Sequence, residues 1–123
     1  MLGLPSEKGV ADVEFARQAN EDLTRLQTYL ADCYVGFGDT LGDALAMARA
    51  RVVAVRDDIH RALSLQPMRG TLREEIVPGL RHVTIGRTVP YFLYNEEADQ
   101  VAVLAIFYGG HGHRNRIRPR LLG

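Results

Sequence analysis

The fold is decided by residues 79–113, GLRHVTIGRTVPYFLYNEEADQVAVLAIFYGGHGH. Three runs within them, residues 80–85, 89–94 and 101–108, are rich in the β-branched and aromatic residues typical of strands. Gly86 and Arg87 separate the first two runs, and a glycine at the first central position favours a type II′ hairpin turn. The polar residues 95–99 form a longer turn before the third run. The stretch therefore predicts a three-stranded antiparallel meander.

The predicted turns set a register that sorts the side chains. They put His82 opposite Tyr91, and a five-residue second turn puts Leu93 opposite Val101. Because successive side chains of a strand point to opposite sides, two faces result. One face is expected to carry Val83, Ile85, Pro90, Phe92, Tyr94, Leu104 and Ile106. The other is expected to carry Leu80, His82, Thr84, Val89, Tyr91, Leu93, Val103, Ala105 and Phe107. Both faces are largely apolar, so we expect one to pack on helices of the chain and the other to meet a partner.

Two amphipathic helices are predicted ahead of the meander, from apolar residues at intervals of three and four. The first spans residues 16–34, with Ala19, Leu23, Leu26, Leu30 and Cys33 as its apolar stripe. The stripe of the second consists of Leu41, Leu45, Ala48, Val52, Val55, Ile59 and Leu63. Thr40 and Asp43 form a capping box at its start, and Pro67 ends it. The short loop between the two predicts an antiparallel helical hairpin.

The remaining segments set the domain organisation. Residues 1–9 are expected to be a flexible leader, and residues 68–78 an irregular connection. Residues 10–15 fit either a short strand or the start of the first helix. Residues 114–123 contain four arginines and no acid, so we expect a basic C-terminal tail. The chain then reduces to one domain, residues 10–113, with an α+β fold in two layers.

Composition excludes several classes of protein. Cys33 is the only cysteine, so no intrachain disulfide can form. No apolar run is long enough for a membrane span or a signal peptide, which predicts a cytoplasmic protein with no membrane partner. The sequence has no P-loop and no nucleophile-elbow serine, and we expect no cofactor. His111 and His113 are too few ligands for zinc, so no metal site is predicted.

Several local patterns, taken in order, resemble the RelE/ParE superfamily of type II toxin–antitoxin toxins. They are Asp22-Leu23 with Tyr29-Leu30, then Pro78-Gly79-Leu80-Arg81, Gly86-Arg87, Tyr91-Phe92-Leu93-Tyr94, residues 101–106 and Phe107-Tyr108-Gly109-Gly110. The resemblance covers residues 10–113. It implies a β-α-α-β-β-β order in which a helical hairpin packs on a mainly antiparallel sheet. It also implies a first strand beside the last one, which favours a strand at residues 10–15.

The resemblance implies two alternative functions. RelE-like members cut messenger RNA on the ribosome, using basic residues on the sheet and a general acid near the end of the last strand. ParE-like members lack that set and poison DNA gyrase. Tyr91 stands where RelE-like nucleases place an arginine, and Lys8 is the only lysine. The ParE-like function is therefore favoured: a growth inhibitor, of the kind used in plasmid stabilisation, held by a cognate antitoxin in a hetero-oligomer. The alternatives are a RelE-like endoribonuclease and a degenerate member that only binds its antitoxin.

The resemblance also suggests candidate site residues. For a nuclease they are Arg81, Arg87, His111 and His113. For contact with the target they are Tyr91, Tyr108, His111, His113, Arg114, Arg116, Arg118 and Arg120. For antitoxin binding they are Leu80, His82, Val89, Tyr91 and Leu93. One departure stands out, since His111-Gly112-His113 replaces the polar residue and aspartate common in relatives. This segment fits a solvent-exposed turn or, beside Arg114, a place where histidines bind or act on a phosphate.

Overall fold

The computed structural model describes residues 10–109 and 112–122. The predicted leader, residues 1–9, and His111 lie outside the described residues. The elements in chain order are β1 (Asp12–Phe15), α1 (Arg17–Gly36), α2 (Leu41–Leu65), β2 (Thr71–Leu72), β3 (Arg81–His82), β4 (Thr88–Asn95), β5 (Gln100–Tyr108) and α3 (His113–Leu122).

The strands form one sheet in the order β1-β5-β4-β3-β2. β1 runs parallel to β5, with Val13 opposite Val101, and the other pairs are antiparallel. The prediction of an α+β fold, with a helical hairpin on a mainly antiparallel sheet, is confirmed. The ambiguity at residues 10–15 is resolved as a strand, after which Ala16 precedes the first turn of α1 without a side-chain cap.

The predicted meander is correct in outline, but one of its predicted strand pairings is wrong. His82 pairs with Tyr91 as predicted, and Gly86 has the positive φ, 62°, that the predicted turn requires. The predicted pairing of Leu93 with Val101 is wrong, because Leu93 lies opposite Ala102. The second turn is shorter than expected, since Asn95 and Gln100 still pair at the ends of the two strands.

A β-bulge explains why two residues lie on the face opposite to the predicted one. Tyr91 pairs with Ala105, and its neighbour Phe92 pairs with Val103, so Leu104 is an extra residue in β5. Such an insertion breaks the period-two alternation. Val103 consequently faces the helices, and Leu104 lies on the other side of the sheet with Ala105.

The helix-side core joins the hairpin to the sheet. It comprises Ala11, Ala19, Leu23, Leu26, Leu30, Ala31, Ala48, Val52, Ile59, Leu63, Phe92, Val101, Val103 and Ile106. Thr40 caps α2 as predicted, because its Oγ1 accepts a hydrogen bond from the Asp43 N–H at 3.2 Å. Leu41 and Leu45, predicted as buried, are exposed. The buried line at this end of α2 runs instead through the small side chains of Ala44 and Ala48.

The opposite face of the sheet is also covered, by the chain itself. The second cluster comprises Ile76, Leu80, Val89, Tyr91, Ala105, Phe107 and Ile117. The expectation that this face is open to a partner is therefore wrong. Residues 114–123, predicted as a basic tail, belong largely to α3, and Ile117 is completely buried. A single helical turn separates Ile117 from His113 and from Leu121, so all three share the face of α3 that meets the sheet.

The connection predicted as irregular contributes the edge strand β2. Its first residue, Thr71, pairs with His82. Gly70 has a φ of 92°, and a Cβ at this position would lie 2.3 Å from the His82 carbonyl oxygen. No other residue fits here without a shift of the backbone, so this glycine allows the edge to close on β3.

Candidate functional site

A cluster of three rings lies at the centre of the covered face, and we refer to His82, Tyr91 and His113 as the histidine–tyrosine cluster. His82 on β3 stacks on Tyr91 of β4, with ring centroids 4.9 Å apart and an interplanar angle of 24°. The Tyr91 hydroxyl lies 2.7 Å from Nδ1 of His113, the first residue of α3. Phe107 of β5 meets the Tyr91 ring edge-on at 5.7 Å.

A charged pair borders this cluster. Arg73 donates from Nη1 to the Tyr91 hydroxyl at 3.4 Å and from Nε to Glu75 Oε2 at 2.7 Å. The hydrogen bond from Arg73 lowers the pKa of Glu75 below its usual value. Because arginine can only donate, the hydroxyl accepts from Arg73 and is free to donate its proton to His113 Nδ1. The Tyr91 hydroxyl thus joins α3 to the segment that follows β2.

Burial controls the protonation of the cluster. It lowers the pKa of His82 to about 4, and the nearby His113 and Arg73 act in the same direction. Burial, together with Arg114, lowers the pKa of His113, and burial raises the pKa of Tyr91. At neutral pH both imidazoles are uncharged and the phenol keeps its proton. His82 Nδ1 is buried and has no hydrogen-bond partner among the described residues.

The cluster has the chemical groups of acid–base catalysis without access to a substrate. Neutral imidazoles, a phenol and a guanidinium can move protons and stabilise a phosphate. Tyr91 is completely buried, however, and His82 is only 6% exposed. In this conformation α3 closes the cluster. Within residues 10–109 and 112–122, no three His, Cys, Asp or Glu residues lie close enough together to hold a metal ion.

A second polar site, the Asp22 clamp, fixes α3 to the rest of the molecule. Oδ2 of Asp22, on α1, accepts hydrogen bonds from the Ile106 N–H of β5 at 2.8 Å and from Arg120 of α3 at 3.0 Å. Oδ1 accepts from Arg25 at 3.1 Å. The Asp22 side chain is only 7% exposed, so these charge-assisted bonds are partly shielded from water.

The predicted nuclease residues are not brought together. Arg81 donates to the Met68 carbonyl at 2.7 Å, and it alternates with His82 across β3, so it faces away from the histidine–tyrosine cluster. The Arg87 guanidinium lies 5.4 Å from the centre of the Tyr108 ring. Among the described members of the predicted set, only His113 belongs to the cluster.

The residues predicted to contact the target differ in their exposure to solvent. Tyr91 is buried, Tyr108 half-buried, and Arg114 and Arg118 are exposed on α3. Arg116 and Arg120 lie over the Phe107 ring, at 5.0 and 5.7 Å from its centre. The residues predicted to bind an antitoxin are mostly buried, namely Leu80, His82, Val89 and Tyr91, while Leu93 is half-buried. α3 and the segment after β2 cover these residues, which contradicts the expectation of an open face, while their role in antitoxin binding stays a prediction.

Three residues of these sites were missed by sequence reasoning. Arg73 and Glu75 lie in a segment predicted as irregular, where no periodicity marked them. Asp22 lies within a pattern that supported the family resemblance, but its role depends on Arg120, 98 residues further along the chain. A single acid on the otherwise apolar side of α1 was the available signal.

The architecture defines a class of protein fold. A helical hairpin on a mainly antiparallel sheet, with the first strand beside the last, is the fold of the RelE/ParE toxins. No helix in the described part of the chain is long and apolar enough to cross a membrane. The sequence matches no protein-family model and no curated protein.

Solved structures share this fold at low sequence identity. One is a chain of the toxin–antitoxin complex RelBE2 from Mycobacterium tuberculosis, with a TM-score of 0.57 and 20% identity, over 80% of this chain and 91% of that chain. Another belongs to the chromosomal ParDE TA system from P. aeruginosa, with a TM-score of 0.55 and 20% identity, over 81% of this chain and 97% of that chain. The chain therefore has a RelE/ParE-like fold.

Proposed function

We propose that this chain is the toxin of a type II toxin–antitoxin pair and is neutralised by a cognate antitoxin. The observation that supports it is the shared fold, which spans 91% and 97% of chains from two toxin–antitoxin systems. In this proposal the protein acts in the cytoplasm, and its antitoxin binds it as a hetero-oligomer.

The finer proposal is a ParE-like inhibitor of DNA gyrase that cleaves no RNA. Three observations support it. Arg81 and Arg87 lie apart from His113, so the predicted nuclease set is not assembled. The histidine–tyrosine cluster, which holds the only histidine among the described residues of the predicted nuclease and contact sets, is closed, since Tyr91 is completely buried. An inhibitor that acts by binding needs exposed contacts instead, and Arg114 and Arg118 on α3 are exposed.

The test is expression of the chain with and without the neighbouring open reading frame. Growth arrest that the neighbour relieves is the expected result for a toxin. Arrest with intact transcripts, DNA damage signalling and inhibited supercoiling by purified gyrase is expected for the ParE-like function. High-level expression without arrest would overturn the toxin proposal itself.

Point variants locate the contact surface better than a truncation. Deleting residues 114–123 would also remove Ile117, which is completely buried, and would uncover the second cluster. The double variant Arg114→Ala/Arg118→Ala removes exposed charges only, and we expect it to weaken growth arrest while antitoxin binding persists. Arg61→Ala, on exposed α2 surface, is the matched control. Undiminished arrest in the double variant would contradict the role of α3 in target contact.

The histidine–tyrosine cluster favours a second candidate, a RelE-like endoribonuclease that opens when α3 moves. In that case His113→Ala should slow ribosome-dependent cleavage about 10²–10⁴-fold, the usual contribution of a general acid or base. Tyr91→Phe, which keeps the ring and removes the hydroxyl, should have a comparable effect. Codon-phased transcript cuts that disappear in either variant would replace the gyrase proposal with this one.

A further inference from the structure

A cavity lies between α1, the free edge of β5 and α3, on the outer side of the Asp22 clamp. Its volume is about 420 Å³, within the range of about 300–1,000 Å³ typical of small-molecule sites. The residues that matter for its chemistry are Asp22, Arg25, Tyr29, Arg87, Tyr108 and Arg120. We refer to it as the arginine–tyrosine cavity.

The lining of this cavity carries a net positive charge, although Glu21 lies 3.9 Å from Arg25. Among its described lining residues, four are arginines and one, Asp22, is a carboxylate. The Asp22 oxygens already accept from Ile106 N–H, Arg120 and Arg25. The carboxylate therefore holds the floor of the cavity together and leaves an excess of positive charge on its walls. Arginine guanidinium groups bind phosphate oxygens in a forked, charge-assisted geometry.

Aromatic rings stand beside these charges. Tyr29 and Tyr108 lie with ring centroids 6.4 Å apart and an interplanar angle of 58°. Tyr29 is 57% exposed, so part of its ring is open to solvent. The guanidinium of Arg87 lies 5.4 Å from the Tyr108 ring centre. An exposed ring beside arginines is the arrangement on which proteins stack a base while they hold the phosphate.

We infer that the arginine–tyrosine cavity binds a nucleotide, with the phosphate on the arginines and the base against the exposed face of Tyr29. A lone carboxylate or inorganic phosphate would engage the arginines only, and would leave the rings and most of the volume unused. The nucleotide can be a free molecule or one residue of a single strand, since the cavity is open to solvent. Nucleotide binding is measured on the purified chain without a growth assay, so its outcome is independent of the toxin proposal.

The experiment is a calorimetric titration of the full chain with adenosine 5′-monophosphate, adenosine, inorganic phosphate and a short single-stranded oligoadenylate. We expect the monophosphate to bind about ten-fold or more tightly than adenosine or phosphate alone, because stacking and charge-assisted bonds act together. Stronger binding of the oligoadenylate would assign the site to a single strand. Equal affinity of monophosphate and oligoadenylate would assign it to a free nucleotide.

Three variants separate the contribution of the arginines to binding from that of the tyrosine ring. Arg87→Ala should weaken monophosphate binding about ten-fold and lower the salt slope of oligoadenylate binding by about 0.7. Tyr29→Ala should weaken monophosphate binding about five-fold or more and leave phosphate binding unchanged. Arg61→Ala, on exposed α2 surface outside the cavity, removes the same charge as Arg87→Ala and should change neither. Circular dichroism checks that each variant is folded.

Several results would overturn the inference. Equal affinities for inorganic phosphate and the monophosphate, with no effect of Tyr29→Ala, would reduce the cavity to a simple anion site. An equal loss in Arg61→Ala and Arg87→Ala would reduce it to general electrostatic attraction. Tighter binding of an oligoglutamate than of either nucleotide probe would assign the cavity to an acidic protein segment. Absence of binding by both nucleotide probes would exclude the site.

Discussion

Two helices of 20 and 25 residues cover one face of the sheet, whereas the other is covered by a ten-residue helix and the segment after β2. The helix-side core is apolar throughout. The second cluster includes polar rings that stack on each other. Its cover is secured by hydrogen bonds that Arg73 donates to Tyr91 and Arg120 donates to Asp22. Apolar burial provides most of a protein's stability, while polar contacts add direction and pH sensitivity. We infer that the first face maintains the fold and the second is the one that can open.

The strongest test of this comparison is Phe92→Ala on the helix-side face. Phe92 is completely buried, so its truncation should cost about 3–5 kcal/mol of unfolding free energy. The matched control is Phe37→Ala, because Phe37 is 85% exposed and its truncation should cost less than about 0.5 kcal/mol. Urea denaturation of both variants measures the difference. A Phe92→Ala midpoint equal to that of the wild type would contradict the assigned core.

Ile117→Ala tests the cover of the other face. Loss of this buried side chain should cost about 2–3 kcal/mol, the lower part of the usual range for isoleucine, because α3 can detach without unfolding the hairpin. Amide hydrogen exchange should show residues 113–122 losing protection while α1 and α2 keep it. Leu122→Ala, at an exposed position of the same helix, should leave protection unchanged. Simultaneous loss of protection in all three helices would make the two faces one cooperative unit.

Acidification should destabilise the second cluster selectively. Burial lowers the pKa of His82 from the ordinary 6.5 to about 4. Between these values the unfolded chain binds a proton that the folded chain does not. The contribution of His82 is therefore fully present above pH 6.5 and is lost as the pH falls toward 4. From pH 7.5 to 5.5 we expect His82 to account for a loss of about 1.3 kcal/mol, measured by urea denaturation.

His82→Gln should flatten this pH dependence, since the amide cannot titrate. The charged and titratable groups around His82 are His113, Arg73, Arg114 and Glu75, and His113 should account for the slope that remains. An unchanged slope in the glutamine variant would show that His82 is not the group responsible.

Asp22→Asn should give the smallest effect. The amide oxygen can still accept from the Ile106 N–H, while the charge that holds Arg120 and Arg25 is lost. Because charge-assisted hydrogen bonds are stronger than neutral ones, we expect a loss of roughly 1 kcal/mol. Exchange protection in α3 should fall more than protection in α1. Equal protection of α3 in the wild type and in Asp22→Asn would mean that Ile117 alone holds the helix.

Most of the fold could be predicted from the sequence. The alternation of apolar residues in strands and their three- and four-residue spacing in helices indicate which side chains are buried. The hairpin and the meander follow from these patterns. The bulge at Leu104 does not, since an extra residue changes which face a side chain occupies without changing composition. The two-residue strand β2 is too short to show a pattern, and its position depends on the close approach of Gly70 to His82.

The candidate sites were less accessible than the fold. Tyr91 and His113 were named from the sequence, but their hydrogen bond joins two residues that lie 22 positions apart in the chain. α3 was missed because its arginines dominate the composition and Ile117 and Leu121 are its only apolar side chains in the second cluster. The Asp22 clamp joins three elements that no local pattern relates. The family resemblance placed the right segments together without indicating which face they would cover.

The parallel pairing of β1 with β5 has a consequence for biosynthesis. Val13 lies opposite Val101, and a ribosome that adds roughly 5–20 residues per second makes them about 5–20 s apart. During that interval the growing chain carries β1 and both long helices without β5, the strand that joins β1 to the rest of the sheet. β5 completes the sheet, and α3 follows it. The nascent protein should therefore depend on chaperones for several seconds and then fold abruptly, once its final third has been made.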